Sequence, residues 1–146
     1  MTQRIVPMIA YADAAAAIDW LTEAFGFTER SGQRFTDEHG TVMHAELERD
    51  GAIVMLATPT PEYEGPRLHR ETCEAASRWQ DNPWVIDGLL VQVDDVDAHH
   101  AQAVAGGATV IRPLEDSAGA GMRLYTAEDL EGHRWMFGQP LTPPAA

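Results

Sequence analysis

The chain has 146 residues, 45% of them hydrophobic, and carries 23 acidic against 10 basic side chains, a net charge of −13 at pH 7. That length fits one domain or two half-size modules sharing a core. The charge argues against a nucleic-acid surface, which needs clustered Lys and Arg to neutralise phosphates. No apolar run approaches the roughly 18 residues of a membrane span, so no membrane partner is expected. The opening MTQRIVPMIA has no basic region followed by a long apolar stretch, and no signal peptide is expected. A single cysteine, Cys73, excludes an intramolecular disulfide and fits a reducing cytoplasm, the expected location. His, Asp and Glu would therefore have to supply any metal ligands.

In chain order, Ile5–Ala10 reads as an apolar strand, and Asp13 is a good N-cap for the helix that follows. Ala17, Trp20, Leu21, Ala24 and Phe25 fall on one stripe of that helix, and Gly26 suits the left-handed residue that ends it. Strands follow at ERSGQRFT, TVMHAELER and AIVMLAT, the last two joined by Asp50-Gly51, a strong tight-hairpin signal. The Pro-rich, charged stretch from Thr58 to Trp84 reads as an ordered crossover with one helical turn around Glu71 to Arg78. DGLLVQVDDVDAHHAQAVAGGA then repeats the opening pattern, with Asp95 as N-cap and Gly107 at the exit. In this second helix Val96, His100, Ala103 and Val104 form the expected core stripe. ATVIRPL, GMRLYTAE and HRWMFGQ complete the chain as strands, with Leu130-Glu131-Gly132 in the last turn.

The order βαβββ thus occurs twice, the mark of a duplication. The expected fold class is α+β, two tandem βαβββ modules forming curved mixed sheets around a concave pocket. Module one covers about residues 3–58, the crossover about 59–84 and module two about 85–140. The opening AD-helix-FGF, the second opening VDDVDA-helix-GGA and the closing DLEGHRWMF resemble the vicinal oxygen chelate superfamily. That superfamily includes glyoxalase I, extradiol dioxygenases and the bleomycin-resistance proteins. The resemblance covers nearly the whole chain. It implies two curved sheets, each covered by a helix on the outside, and in many relatives a dimer, so a homodimer is expected here.

In the metal-dependent members of that superfamily, ligands come from the first and last strand of each module. Carried over by position, these would be Val6, Asp87 or Gly88, Met55 and Met136. Thioethers are poor ligands for hard or borderline ions, and Val and Gly offer no lone pair. Only Asp87 could contribute, so no metal and no cofactor are expected. Both modules place Met at the last-strand position, and Met commonly lines apolar ligand pockets.

Strand alternation sorts the remaining side chains. Met43, Ala45 and Leu47 read as the helix-facing side of their strand, with His44 and Glu46 facing the concavity. In module two, Met122 and Leu124 read as helix-facing, with Arg123 and Tyr125 inward, while Leu90 and Gln92 turn inward from their strand. The expected pocket has an apolar floor of Met8, Met55, Leu90 and Met136 and polar groups at His44, Glu46, Gln92, Arg123 and Tyr125. His44 and Glu46 are the candidate catalytic residues. His99-His100 does not make a metal pair, because adjacent helical residues diverge by about 100°. His133 is expected to fix the last turn. His69, Glu71 and Cys73 in the crossover lack the further ligands of a zinc set.

Three functions fit these residues. The first is a metal-independent small-molecule-binding protein, with Trp84 and Tyr125 available for stacking. The second is a glyoxalase-like lyase or isomerase using Glu46 or His44 as general base, with Arg123 or Tyr125 replacing the metal's electrostatic role. The third is a dimeric partner module with no small ligand. Neither the ligand's identity nor the dimer arrangement is legible in the chain.

Overall fold

The computed structural model describes residues 3–83 and 88–141. The first half holds β1 (Met8–Ala10), α1 (Ala14–Phe25), β2 (Thr28–Glu29), β3 (Phe35–Thr36), β4 (Val42–Arg49) and β5 (Ala52–Ala57). Two short helices follow, α2 (Pro66–Thr72) and α3 (Glu74–Gln80). The second half holds β6 (Gly88–Gln92), α4 (Val96–Ala105), β7 (Thr109–Ser117), β8 (Met122–Glu128) and β9 (Arg134–Pro140). The first sheet runs β1-β5-β4-β2, with β3 also paired to β4, and the second runs β6-β9-β8-β7. In each sheet the strand before the helix pairs in parallel with the last strand, and the others are antiparallel. The fold is therefore α+β with two mixed sheets, as read from the sequence, except that the strand expected at ERSGQRFT is split into β2 and β3.

The local signals act as the sequence implies. Asp13 accepts from the amide of Ala16 and Asp95 from that of Ala98, so both helices start at a carboxylate cap. α1 ends at Gly26, whose φ of 72° is left-handed, and Arg49 donates from Nη1 to the carbonyls of Phe25 and Gly26. The side chain thus satisfies two carbonyls that the helix leaves open. The β4–β5 turn has positive φ at both Asp50 and Gly51, the conformation that matches the twist of the flanking strands. The crossover departs from expectation: instead of one helical turn it forms two helices, and Cys73 is at once the C-cap of α2 and the N-cap of α3.

One aromatic core joins the two halves. Phe25 of α1 meets Phe137 and Trp135 of β9 edge-on at 4.7 and 5.6 Å. Phe27 lies 5.5 Å from Trp135. A ring in such a position is worth about 3–5 kcal/mol against alanine. α1 and α4 pack side by side, close enough that a Cβ on Gly106 would lie 2.6 Å from that of Ala24.

The second helix corrects the expected stripe. Its buried residues are Val96, His99 and Ala103, while His100 is half-buried and Val104 exposed. His99 Nε2 lies 3.0 Å from the carbonyl of Phe25, which can only accept, so Nε2 carries the proton. Nδ1 then accepts from the Tyr125 hydroxyl at 2.7 Å. Burial lowers the His99 pKa, outweighing the Phe25 carbonyl, which favours the charged ring; the Tyr125 hydroxyl donating to Nδ1 requires the neutral one. A histidine with two partners satisfied this well can occupy the core, which residue spacing alone did not distinguish from its neighbour.

Candidate ligand-binding site

The first sheet presents a methionine face on the side away from its helix. Register explains why. Met8 pairs with Met55 across β1 and β5, and Met55 pairs with Glu46 across β5 and β4. Partners in register share a face, so these three side chains form one row. Val54 and Leu56, one residue off this row, point into the core. Met8 and Met55 of this row line a chamber of about 240 Å3 with Met43, His44, Ala57 and Pro59. Met8 is 80% exposed and Met43 48% exposed, so the chamber opens to solvent.

Met43 is a correction: the sequence pattern assigned it to the helix side. Strict alternation fails at the start of β4, where Val42 and Ala45 are both buried although three positions apart. The pairing of β3 with β4 shifts register at this point, Phe35 opposing His44 and Thr36 opposing Val42. Such an irregularity re-aims side chains and brings Met43 and His44 to one side. Phe35, exposed at the edge, lies 5.9 Å from the His44 ring. Met43 was not identified as a pocket residue from alternation, and only the bulge reveals it.

Glu46 lies beneath this face and is buried. Its carboxylate is ion-paired with the Arg30 guanidinium, and His44 Nε2 lies 3.4 Å from its other oxygen. Arg30 comes from just past β2, where its own amide donates to the Glu46 carbonyl at 2.9 Å. The carboxylate expected to act as a base therefore already has a cation against it.

The second sheet differs from the expected arrangement. Tyr125 pairs with Phe137 and Ala127 with Trp135, so Tyr125 shares the helix side with those core rings. It is fully buried against His99 and has no access to the concave face. Burial raises its hydroxyl pKa well above the ordinary range. Arg123, two residues earlier on the same side, forks onto Asp97 of α4 at 2.9 and 3.0 Å and reaches Asp116 at 3.1 Å. Its partners are on the outer surface. The phase of β8 is thus opposite to that read from the sequence, and Leu124 and Thr126 take the other face. Trp135 and Phe137 are buried on the helix side, and register with them fixes Tyr125.

Leu90 pairs with Met136 on the concave side of the second sheet, Leu90 exposed and Met136 half-buried. Leu90 and Gln92 line a separate hollow of about 400 Å3 shared with Ile53 and the β4–β5 turn. The expected floor is therefore divided: Met8, His44 and Met55 come together, while Leu90, Gln92 and Met136 stand apart from them. Asp87 and Trp84 lie outside the described residues.

The ion implied by the resemblance does not fit the donors at these positions. Met55 and Met136 present sulfur, and Gly88 presents no side chain. The nearest carboxylate on the first sheet, Glu46, is neutralised by Arg30. Among the described residues no three His, Cys, Asp or Glu side chains come together as a metal cluster.

A buried polar node joins the halves behind this face. Asp129 Oδ2 accepts from the Tyr11 hydroxyl at 2.6 Å and from Trp135 Nε1 at 3.0 Å. Its Oδ1 accepts from the amides of Glu131 and His133, both at 3.0 Å. Burial and the Asp129 charge raise the Tyr11 pKa, so its hydroxyl remains a donor. Glu131 accepts from the amides of Ala12 and Asp13 at 2.7 and 3.0 Å, just ahead of α1. His133 Nε2 donates to the Ala10 carbonyl at 2.7 Å. His133 thus fixes the turn, as expected, and also pins it to the other half.

Paired modules and an open sheet face carrying thioethers define a class of protein before any comparison. The family model described as the glyoxalase/bleomycin resistance protein/dioxygenase superfamily matches residues 4–137. The chain belongs to that superfamily. It is 34% identical over 135 residues to the uncharacterized protein Mb0911c of Mycobacterium bovis, covering 92% of this chain and 82% of that one. Among solved structures it is similar to TioX from Micromonospora sp. ML1, with 32% identity and a TM-score of 0.67 over 98% of this chain and 100% of the other. It also shares its fold with TnmS3, an antibiotic binding protein from Streptomyces sp. CB03234, at 22% identity and a TM-score of 0.61 over 96% and 98% of the two chains.

Proposed function

We propose that this chain binds a small, largely apolar molecule on the methionine face of the first sheet, without a metal. The observation that carries this reading is the convergence of Met8, Met43 and Met55 on one open chamber with His44 at its side. Thioethers are soft and adaptable, and one polar group among apolar walls orients a ligand. The antibiotic-binding description of TnmS3, a protein of the same fold, supports the same class of function.

The general-base alternative has less support. A base must take a proton from substrate, and the Glu46 carboxylate is buried against Arg30. The metal's electrostatic role cannot pass to Tyr125 or Arg123, which face the other side of the second sheet. A second copy of the chain closing the open chamber is part of this proposal, supported by Met8, exposed at the chamber, and by the exposed Ile5 three residues before it. A cytoplasmic location belongs to the reading too, resting on the single cysteine; among the described residues no helix is long and apolar enough to cross a membrane.

The test uses N-phenylnaphthylamine, a neutral apolar fluorophore, titrated into protein pretreated with chelator. Saturable binding is expected, weakened by at least about tenfold in Met43→Lys and in Met55→Lys, since each puts an ammonium on the face. Binding that needs added metal, or that both variants leave intact, would refute the proposal.

A further inference from the structure

A larger cavity lies elsewhere. It encloses about 560 Å3 between the two crossover helices and the turn into β9, and shares no lining residue with the methionine face. Its walls carry Tyr63, Trp79, His69, His133 and Arg134. The chain as a whole has more than twice as many acidic as basic side chains, yet no Asp or Glu is among the described residues lining this cleft.

That exclusion is built by specific contacts. The adjoining turn contains Glu128, Asp129 and Glu131, and each carboxylate is engaged elsewhere. Glu128 takes both terminal nitrogens of Arg70. Asp129 takes Tyr11, Trp135 and two amides, and Glu131 takes the two amides ahead of α1. Arg67 donates to the carbonyls of Asp129 and Leu130, which holds α2 over the turn. The Arg134 guanidinium is fixed at the cleft wall by the Asn82 carbonyl, 2.8 Å from Nη1. The His133 ring is fixed by the Ala10 carbonyl. Trp79 is 63% exposed on a helix of only seven residues, where its indole contributes little to the core.

We propose that this crossover cleft is a second binding site, for an aromatic anion: a planar ring bearing a carboxylate, sulfonate or phenolate. The ring stacks on Trp79 and Tyr63, and the anionic group lies toward Arg134 and His69, while His133, its Nε2 proton held by the Ala10 carbonyl, forms part of the wall. Guanidinium and imidazole donors strengthen when the acceptor is charged, and an aromatic wall accepts any planar ring. The proposal stands whether or not the methionine face binds its own ligand.

Anilinonaphthalenesulfonate is the probe, with N-phenylnaphthylamine as its uncharged counterpart, each titrated into the full chain by fluorescence. The sulfonate should bind saturably and weaken by at least about tenfold in Trp79→Ala and in His69→Glu, both substitutions of exposed residues that should leave the fold intact. His69→Gln should weaken it less than His69→Glu. Raising salt from about 0.05 to 0.5 M should weaken the sulfonate and spare the neutral probe. Far-ultraviolet circular dichroism and melting curves matching wild type keep the comparison on folded protein. Sulfonate binding indifferent to both Trp79→Ala and His69→Glu would overturn the proposal, as would its absence from wild type. So would loss in Met43→Lys alone, which would place the anion on the methionine face. Loss of only the neutral probe's binding would count against the function proposed above and leave this site standing.

Discussion

Replacing Asp129 by Asn tests the node that joins the halves. The side chain is 1% exposed and its four hydrogen bonds all come from neutral donors. Asn keeps one carbonyl oxygen for the amides of Glu131 and His133. Where Oδ2 stood it places an NH2 group against the Tyr11 hydroxyl and the Trp135 N–H. The hydroxyl can turn and accept, but the indole cannot, so one buried donor is left without a partner. Hydrogen bonds to a charged acceptor contribute about 1.5–3 kcal/mol each, and an orphaned buried donor costs about 1–3 kcal/mol. The substitution should therefore cost about 3–5 kcal/mol, a large share of a stability of about 5–15 kcal/mol. With a urea slope of about 2 kcal/mol per molar, the midpoint should fall by about 1.5–2.5 M. Tyr11→Phe removes one donor and leaves Trp135 in place, so it should cost only about 1–2 kcal/mol. The double variant should cost less than the two singles together, because they share an interaction. An Asp129→Asn midpoint within about 0.3 M of wild type would refute the assignment of this node as a structural joint.

Acid should destabilise the protein through His99. Burial lowers its pKa below the ordinary 6.5, so on acidification the unfolded chain takes up a proton before the folded one does. Its contribution is intact above pH 6.5 and is lost as pH falls from there through the lowered folded value. Urea midpoints from pH 7.5 to 5 should drop more steeply in wild type than in His99→Asn; parallel curves would contradict this account. Gly106→Ala should also destabilise, by about 1–3 kcal/mol, because its Cβ would press on Ala24 and force the two main helices apart. A melting temperature at or above wild type would show that the contact yields freely.

The architecture was legible because its signals are local and repeated. Asp13 and Asp95 cap helices as their chemistry requires, Asp50-Gly51 makes the tight turn, and apolar runs mark the strands. The candidate site was less legible because which face a side chain takes depends on pairing. In β8, alternation allows two phases, and only the register of Tyr125 opposite Phe137 selects one. In β4, a bulge moves Met43 across the sheet, and no residue type announces it. His99 and His100 are equivalent by spacing until one finds the Tyr125 hydroxyl and the Phe25 carbonyl. The Arg30–Glu46 pair joins the loop after β2 to β4, so neither could be assigned a partner from its own neighbourhood.

The contacts around the last turn also set an order of events during synthesis. The amides of Ala12 and Asp13 and the Tyr11 hydroxyl meet their carboxylates only through residues 118 or 119 positions later in the chain. At about 5–20 residues per second, the first half waits roughly 6–24 s on the ribosome for those carboxylates. Until then it can form its sheet and helix, but the entrance to α1 lacks its partners and Phe25 lacks Trp135 and Phe137 to cover it. Chains that stop short of residue 129 should therefore expose the aromatic edge of the first half. Both halves can close only once the final strands are released.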